Sequence, residues 1–267
     1  MAQKKKQKQK PGFEDYYSEI YKERWDALKS GLLADADGYS ISDGLLKPYY
    51  LDMASAAAAR TLDVHPGDDV LDMCAAPGGK TLLLALALKG SGSLNSNDRS
   101  SDRRRRLKDV IENHLPTEVR ENIRVTGHDA TRWGLHEKDC YDRVLLDAPC
   151  SSEEHVLKSP AHLNRWSPSR TKQLSIQAHA MLAAAVDAVK PGGTILYSTC
   201  ALSPLENDGV IAKLLKKRSD KVCIETISPD SENLSGLNAE TTDYGLHILP
   251  DRNSGYGPIF MARLKKF

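Results

Sequence analysis

The sequence lacks most features of secreted, zinc-binding and membrane-spanning proteins. Its five cysteines are an odd number and no two are spaced as CxxC, which disfavours a disulfide framework and a zinc site. No apolar run approaches the roughly 20 residues that cross a bilayer, and the lysine-rich start has no apolar core like that of a signal peptide. The formal net charge is only +1, so there is no overall basic field. We expect a cytoplasmic protein with free thiols, no metal and no membrane contact.

Two phosphate-binding motifs are also missing. The sequence contains neither G-x-G-x-x-G nor G-x-x-x-x-G-K-[ST]. Their absence argues against a nicotinamide-dependent dehydrogenase and against a P-loop ATPase.

The first part of the chain predicts a tail and a helical extension. Residues 1–12 are rich in lysine and end at Pro11-Gly12, which is typical of a disordered tail. Residues 13–62 then predict an N-terminal helical extension, with a second helical segment around 51–62. Its first helix has an apolar face, spaced by three and four, that should pack on the main domain. That face comprises Phe13, Tyr17, Tyr21, Trp25, Leu28 and Leu32.

Residues 63–267 alternate between strand and helix patterns, which predicts an α/β domain with a mostly parallel sheet. Seven strands are predicted, at 69–73, 93–97, 123–127, 143–146, 194–198, 222–227 and 259–264. The main helices are predicted at 79–89, 101–114, 170–189 and 206–217. No clear helix separates the last two strands, so we expect them to pair antiparallel at the edge of the sheet.

Acidic residues and a turn of small residues follow the first three strands. Small residues let backbone approach a ligand closely, and the start of a helix favours a carboxylate. Asp98 ends the second strand, where an acid can bind ribose hydroxyls, and Asp129 ends the third, within reach of an adenine amino group. Ligands bind beyond the carboxyl ends of parallel strands, so these residues predict an adenosyl pocket. The turn consists of Cys74, Ala75, Ala76, Pro77, Gly78, Gly79 and Lys80.

Cysteines follow the fourth and fifth strands. The fourth strand runs into Asp147-Ala148-Pro149-Cys150, and the fifth runs into Cys200. Neighbouring strands lie about 4.8 Å apart, so both thiols should overhang one cleft. The run Ser203-Pro204-Leu205-Glu206 predicts a capping box, which would place a helix N-terminus beside Cys200 and favour its thiolate. Cys200 is therefore the predicted nucleophile.

A thiolate in such a cleft suits the methylation of carbon 5 of a pyrimidine. That carbon is a poor nucleophile toward a methyl sulfonium, but sulfur addition at carbon 6 makes it electron-rich. The reaction also needs an acid near N3 and a second group that helps to release the product. Asp147 and Cys150 are placed for these two roles.

Three runs of the sequence, 71–81, 147–151 and 197–200, resemble the Sun/Fmu (Nop/Sun) family of S-adenosylmethionine-dependent RNA cytosine-5 methyltransferases. The resemblance extends roughly over residues 40–267 and is strongest to the short rRNA-type members. It implies a class I, Rossmann-like methyltransferase domain over 63–267, with strand order 3-2-1-4-5-7-6 and an antiparallel last strand. The expected substrate is RNA, with rRNA favoured over tRNA.

The resemblance also implies roles for individual residues. The turn at 74–80, with Asp98, Arg103, Asp129 and Asp147, would contact or border S-adenosylmethionine. Cys200 would bond to the cytosine and Cys150 would assist release of the methylated RNA. Lys80 would face the reacting base.

Two features depart from the family pattern. After Cys150, many members have Ser-Gly-x-Gly, whereas residues 151–155 here read Ser-Ser-Glu-Glu-His. Bacterial members also usually carry an additional RNA-binding domain, and only about 60 residues precede the core here. The RNA would then be positioned by phosphate contacts or by a partner protein. The candidate basic residues are the lysines among residues 4–10, the arginines at 103–106, Arg165 and Arg170.

Two alternative functions are open to the sequence alone. A DNA cytosine-5 methyltransferase would use Cys150 as its nucleophile, but it normally has a glutamine next and a large target-recognition region. A non-catalytic RNA-binding assembly factor would be expected to have lost Cys200, Asp147 or Lys80, and all three are present.

Overall fold

The computed structural model describes residues 11–267, so the predicted tail lies outside the described residues except for Pro11 and Gly12. Helices α1 to α10 are Phe13–Tyr21, Trp25–Leu33, Met53–Thr61, Gly79–Ala87, Ser101–His114, Thr117–Arg120, Glu153–Leu157, Pro160–Arg165, Pro168–Ala188 and Asp208–Arg218. Strands β1 to β11 are Tyr39–Ile41, Tyr49–Leu51, Asp69–Asp72, Ser93–Asn97, Ile123–Thr126, Tyr141–Asp147, Val189–Thr199, Val222–Glu225, Ala239–Thr241, Leu246–Ile248 and Ile259–Lys266.

Within residues 11–267, the main sheet has nine strands in the order β5-β4-β3-β6-β7-β11-β10-β9, and β8 pairs with β11. Strands β3 to β7 are parallel, and β11 runs antiparallel to both β7 and β8. The seven predicted strands therefore follow the order 3-2-1-4-5-7-6, and the class I methyltransferase fold is confirmed. The prediction of seven strands in this sheet was too low, because β9 and β10 add a short antiparallel extension along part of β11.

The sheet is covered by helices on both faces, which explains its nearly continuous apolar strands. Side chains alternate between the faces of a strand. Val144 and Leu146 thus join one buried cluster with α9 and α10, whereas Leu145 joins another with α4 and α5. Because a buried cluster packs on each face of the sheet, the carboxyl ends of β3, β4, β6 and β7 are held in fixed positions along one edge.

The N-terminal apolar stripe is helical but not continuous. It forms α1 and α2, separated by a 3-10 turn at Lys22–Arg24. Phe13, Tyr17 and Trp25 are buried and pack with Trp166 from the segment between α8 and α9.

The small β1–β2 hairpin was not predicted, because three-residue strands are too short to show an alternating pattern. None of the helices described over residues 11–267 is both long and apolar enough to cross a membrane.

We expect Trp133→Ala to destabilise the protein by about 3–5 kcal/mol, because it opens a cavity in a closely packed core. Trp133 has 0% exposure and lies in the 3-10 turn Ala130–Leu135, against α9. Leu135 belongs to the same turn but is 80% exposed, so Leu135→Ala is the matched control and should change stability by less than about 0.5 kcal/mol. Urea unfolding measures both, and similar losses would contradict this description of the core.

Candidate active site

The pairing of β6 with β7 brings the two predicted reactive cysteines together. Asp147 lies opposite Ser198 in the parallel register, so the loops after these strands leave the sheet at the same edge. Cys150 and Cys200 follow on these loops, and their Sγ atoms lie 2.7 Å apart. Both cysteines are half-buried, at the edge where an open parallel sheet binds its ligands.

Lys80 and Asp147 form a charged pair beside the cysteines. Lys80 lies in the first turn of α4, and its Nζ donates to Oδ2 of Asp147 at 2.8 Å and to Oγ of Ser55 at 2.5 Å. Ser198 Oγ donates to the other carboxylate oxygen at 2.8 Å. Burial lowers the pKa of Lys80, but the negative charges of Asp147 and Cys200 raise it more, so the pKa lies above its ordinary value. Lys80 therefore remains a cation close to Cys200.

The two cysteines differ in their surroundings. The hydrogen bond with Cys200, burial, and the nearby charges of Glu153 and Glu206 raise the pKa of Cys150 well above its ordinary value. Cys150 is thus held as a thiol, whereas Cys200 has the Lys80 ammonium as its electrostatic partner. Because a cysteine attacks as its thiolate, the cation beside Cys200 agrees with the predicted role of Cys200, which stays a prediction.

The capping box predicted after Cys200 is wrong. Helix α10 begins at Asp208, and residues 204–207 form a turn before it. Glu206 does not cap the helix, because its carboxylate turns inward and accepts from Ser151 N at 2.9 Å. The favourable positive charge near Cys200 is therefore the Lys80 ammonium and not the helix N-terminus.

The turn at 74–80 owes its shape to backbone contacts and two glycines. Ala75 N donates to Asn97 O at 2.8 Å, which draws the turn toward the end of β4. Gly78 precedes α4 with φ of +122°, a conformation that side-chain-bearing residues rarely adopt. A Cβ on Gly79 would lie 2.9 Å from Cε1 of Tyr49, so a side chain at this position would require the Tyr49 ring to shift.

Asn97 is a functional residue that the sequence interpretation missed. Its Nδ2 donates to the carbonyls of Met73 at 3.0 Å and His128 at 3.1 Å, and its Oδ1 accepts from His128 N at 2.8 Å. One buried side chain therefore joins the ends of β3, β4 and β5. In the sequence, the only indication was a polar asparagine at the end of a buried strand, directly before Asp98. Its hydrogen-bond partners lie after other strands, so the sequence pattern could not identify them.

A cavity of about 320 Å³ opens where these three strands end. Asp98, Asp129 and Arg103 line it together with Met73 and Met181. Asp98 is 4% exposed, and its Oδ2 has no hydrogen-bond partner among the described residues, although Arg103 Nη1 lies 3.3 Å away. Hydrogen bonds from Thr131 lower the pKa of Asp129, so its carboxylate stays charged at the rim of the cavity.

The arginine run does not form one free basic patch. Arg103 donates to Ala76 O and pairs with Asp98, so it braces the small-residue turn. Arg104 donates to the carbonyls of Asp98 and Arg99. Arg105 and Arg106 are exposed and do not line the cavity, and Arg105 lies 3.6 Å from the Asp102 carboxylate.

A smaller cavity of about 100 Å³ lies between the turn, Lys80 and Asp147. Cys74 borders both cavities, so they lie side by side. Asp72, which was not predicted, lines the smaller one. Its Oδ2 accepts from Thr81 Oγ1, and its Oδ1 has no hydrogen-bond partner within residues 11–267. Burial raises the pKa of Asp72 to about 7.

Comparison with known proteins identifies RNA methyltransferases among the relatives of this chain. The family model described as 16S rRNA methyltransferase RsmB/F matches residues 59–265. The 5-cytosine rRNA methyltransferase NSUN4 of Bos taurus is 35% identical over 231 residues, which are 83% of this chain and 60% of that protein. The mitochondrial tRNA (cytosine(34)-C(5))-methyltransferase of Danio rerio is 34% identical, with 84% of this chain and 62% of that protein aligned. The chain thus spans about three-fifths of the length of these relatives.

Two solved structures from Pyrococcus horikoshii share the fold. NSun6 with SFG superposes with a TM-score of 0.65 and 26% identity, covering 82% of this chain and 53% of that one. A methyltransferase homolog protein superposes with a TM-score of 0.63 and 26% identity, covering 83% of this chain and 68% of that one.

Asp72 should make the stability of the protein depend on pH. Its folded pKa of about 7 exceeds the ordinary 3.8, so its contribution to stability is full at acid pH and is lost as the pH rises through 7. The free energy of unfolding should therefore fall less in Asp72→Asn than in the wild type between about pH 5 and pH 8, by about 2–3 kcal/mol. Urea unfolding at both pH values tests this, with the exposed Asp109→Asn as control. An equal fall in wild type and Asp72→Asn would contradict the assignment.

Proposed function

The chain belongs to the 16S rRNA methyltransferase RsmB/F family, and on that premise we propose that it methylates carbon 5 of cytosine in RNA. S-adenosylmethionine is the methyl donor in this proposal, and Cys200 is the covalent nucleophile. The observation that carries the proposal is the contact of Cys200 with Cys150 next to the Lys80–Asp147 pair. Ribosomal RNA is the favoured substrate, because the family description and the NSUN4 relatives name it.

The residues of the two adjacent cavities suit S-adenosylmethionine, which when bound supplies an electrophilic methyl group on a sulfonium. Oδ2 of Asp98, which pairs with Arg103 but accepts no hydrogen bond among the described residues, suits ribose hydroxyls, and Asp129 suits an adenine amino group. The backbone of the turn at 74–80, at the start of α4, suits a carboxylate. The unpaired Oδ1 of Asp72 suits an ammonium group in the smaller cavity.

Covalent activation is the role of the charged residues. Cys200 adds to carbon 6 of the cytosine, which makes carbon 5 nucleophilic. Asp147, fixed by Lys80 and Ser198, gives a proton to N3 of the ring as the sulfur adds and takes it back when the sulfur departs. Fixing this carboxyl group beforehand lowers the cost of orienting it during the reaction.

Product release is the role of Cys150. After methylation, a water molecule takes the proton from carbon 5, the electron pair of that C–H bond re-forms the C5–C6 double bond, and the sulfur of Cys200 departs with the electron pair of the C–S bond. Cys150, held as a thiol in contact with that sulfur, donates a hydrogen bond as the negative charge returns.

RNA contacts are proposed for exposed arginines. Arg165 ends α8 and Arg170 lies in the first turn of α9. Both are exposed, and both follow Cys150 in the chain after the short helix α7. Phosphate contacts of this kind position RNA without selecting its sequence.

Cys200→Ala should abolish methylation, and Cys150→Ala should trap the protein on its RNA. The first change removes the nucleophile, and the second removes the group that assists its departure. The test incubates each variant with S-adenosylmethionine and small-subunit rRNA from cells lacking this gene, followed by denaturing electrophoresis. The adduct should appear with Cys150→Ala and be absent with Cys200→Ala. The reverse pattern would make Cys150 the nucleophile, as in DNA cytosine-5 methyltransferases.

Asp98→Asn should weaken the binding of S-adenosylmethionine by about 10- to 100-fold, because hydrogen bonds to a charged acceptor contribute about 1.5–3 kcal/mol. Isothermal titration with S-adenosylmethionine alone measures this without any RNA. Asp102→Asn, at an exposed position of α5 that lies outside the cavity lining, is the matched control. Unchanged affinity in Asp98→Asn would remove Asp98 from the binding site.

A further inference from the structure

Two buried carboxyl groups lie behind the cysteines and have no part in the reaction described above. Glu153 is 0% exposed and Glu206 is 1% exposed. A buried carboxyl group destabilises a protein unless hydrogen bonds compensate for the lost water. Their contacts therefore indicate what these residues do.

Both carboxyl groups hold Ser151, the residue that follows Cys150. Glu206 Oε2 accepts from the backbone N of Ser151 at 2.9 Å. Ser151 Oγ donates to Glu153 Oε1. Since the backbone and the side chain of Ser151 are both held, Cys150 has little freedom to move away from Cys200.

Glu153 also reaches the loop that carries Cys200. Its Oε2 accepts from the backbone N of Leu202 at 3.0 Å, two residues after Cys200. The carboxyl pair thus ties together the two loops whose sulfurs must stay in contact. Ser151 and Glu153 of the unusual run therefore face the protein interior as part of this support, whereas Ser152 is only half-buried.

The N-terminal extension completes the support. Tyr17 of α1 is 0% exposed, and its hydroxyl donates to the same Oε1 of Glu153. The neighbouring Tyr16 contacts only Ser203 Oγ, at 3.4 Å, by a hydroxyl hydrogen bond within the described residues. The apolar stripe of α1, expected only to pack, therefore also fixes a carboxyl group behind the catalytic loops.

We propose that Glu153, Glu206 and Tyr17 are positioning residues for product release, because they hold the Cys150 thiol against the sulfur of Cys200. This inference rests on the proposed covalent mechanism. None of the three residues lines the cofactor cavities, so they act through Ser151 and Cys150. Without them, the Cys200–cytosine bond still forms but breaks slowly, since the departing sulfur lacks its hydrogen-bond donor.

The electrostatics agree with this role. Burial raises the pKa of Glu206 to about 7 and also raises the pKa of Glu153. Both groups help to raise the pKa of Cys150, which keeps it a thiol able to donate. The same pair therefore fixes the position of Cys150 and its protonation state.

The test compares Glu206→Ala with Glu206→Gln in the denaturing adduct assay, using S-adenosylmethionine and small-subunit rRNA from cells lacking this gene. Glu206→Ala should accumulate about tenfold more adduct than the wild type, as expected for a lost hydrogen bond to a charged group. Glu206→Gln, whose amide oxygen can still accept from Ser151 N, should restore release toward the wild-type level. Tyr17→Phe should also accumulate adduct, whereas the matched control Tyr16→Phe should not.

A second measurement uses the protein alone. Iodoacetamide alkylation followed by mass spectrometry should show faster modification of Cys150 in Glu206→Ala, with the exposed Cys140 as internal reference. Thermal unfolding checks that each variant folds. If Glu206→Ala does not fold, Tyr17→Phe against Tyr16→Phe decides the question.

Reduced methylation without extra adduct, or equal behaviour of Glu206→Ala and Glu206→Gln, would overturn the positioning role. Failure of Cys150→Ala to trap RNA would instead overturn the covalent mechanism itself. The two failures are therefore distinguishable.

Discussion

The parallel pairing that sets Asp147 opposite Ser198 is the constraint on which the reactive centre depends. It determines where the two cysteine loops leave the sheet and places the Asp147 carboxylate within reach of Ser198 Oγ. A slip of one residue would turn every side chain of β6 to the opposite face, and the two buried cores prevent it. The sulfur–sulfur contact thus follows from strand register supported by packing on both faces.

Polar side chains link neighbouring strand ends across the rest of this edge. Asn97 joins three of them, and Arg103 connects the start of α5 to the small-residue turn. Lys80 then connects that turn to Asp147 and to α3. Because these links use fixed strand ends and helix starts, the site is organised before any ligand enters.

The sequence predicted most of this fold because its main strands are apolar runs that end in acids, small residues or cysteines. It failed where a polar group has a distant partner. The run from Ser203 to Glu206 fits a capping box, but Glu206 binds the amide of Ser151 instead. Likewise, the spacing of Tyr17 showed a buried helix face and could not show that its hydroxyl meets Glu153. Asp72 and Asn97 were passed over for the same reason, since their partners lie on other elements.

Tyr17 of α1, which donates a hydrogen bond to Glu153, lies outside the region of the family match, since that match begins at residue 59. Chimeras that exchange only the region of the family match between relatives would separate Glu153 from the Tyr17 hydroxyl that donates a hydrogen bond to it. Such a graft would keep both cysteines above a buried carboxyl group that has lost one of its three hydrogen-bond donors. Compatibility between modules should therefore be judged by this phenol–carboxylate match as well as by sequence identity within the core.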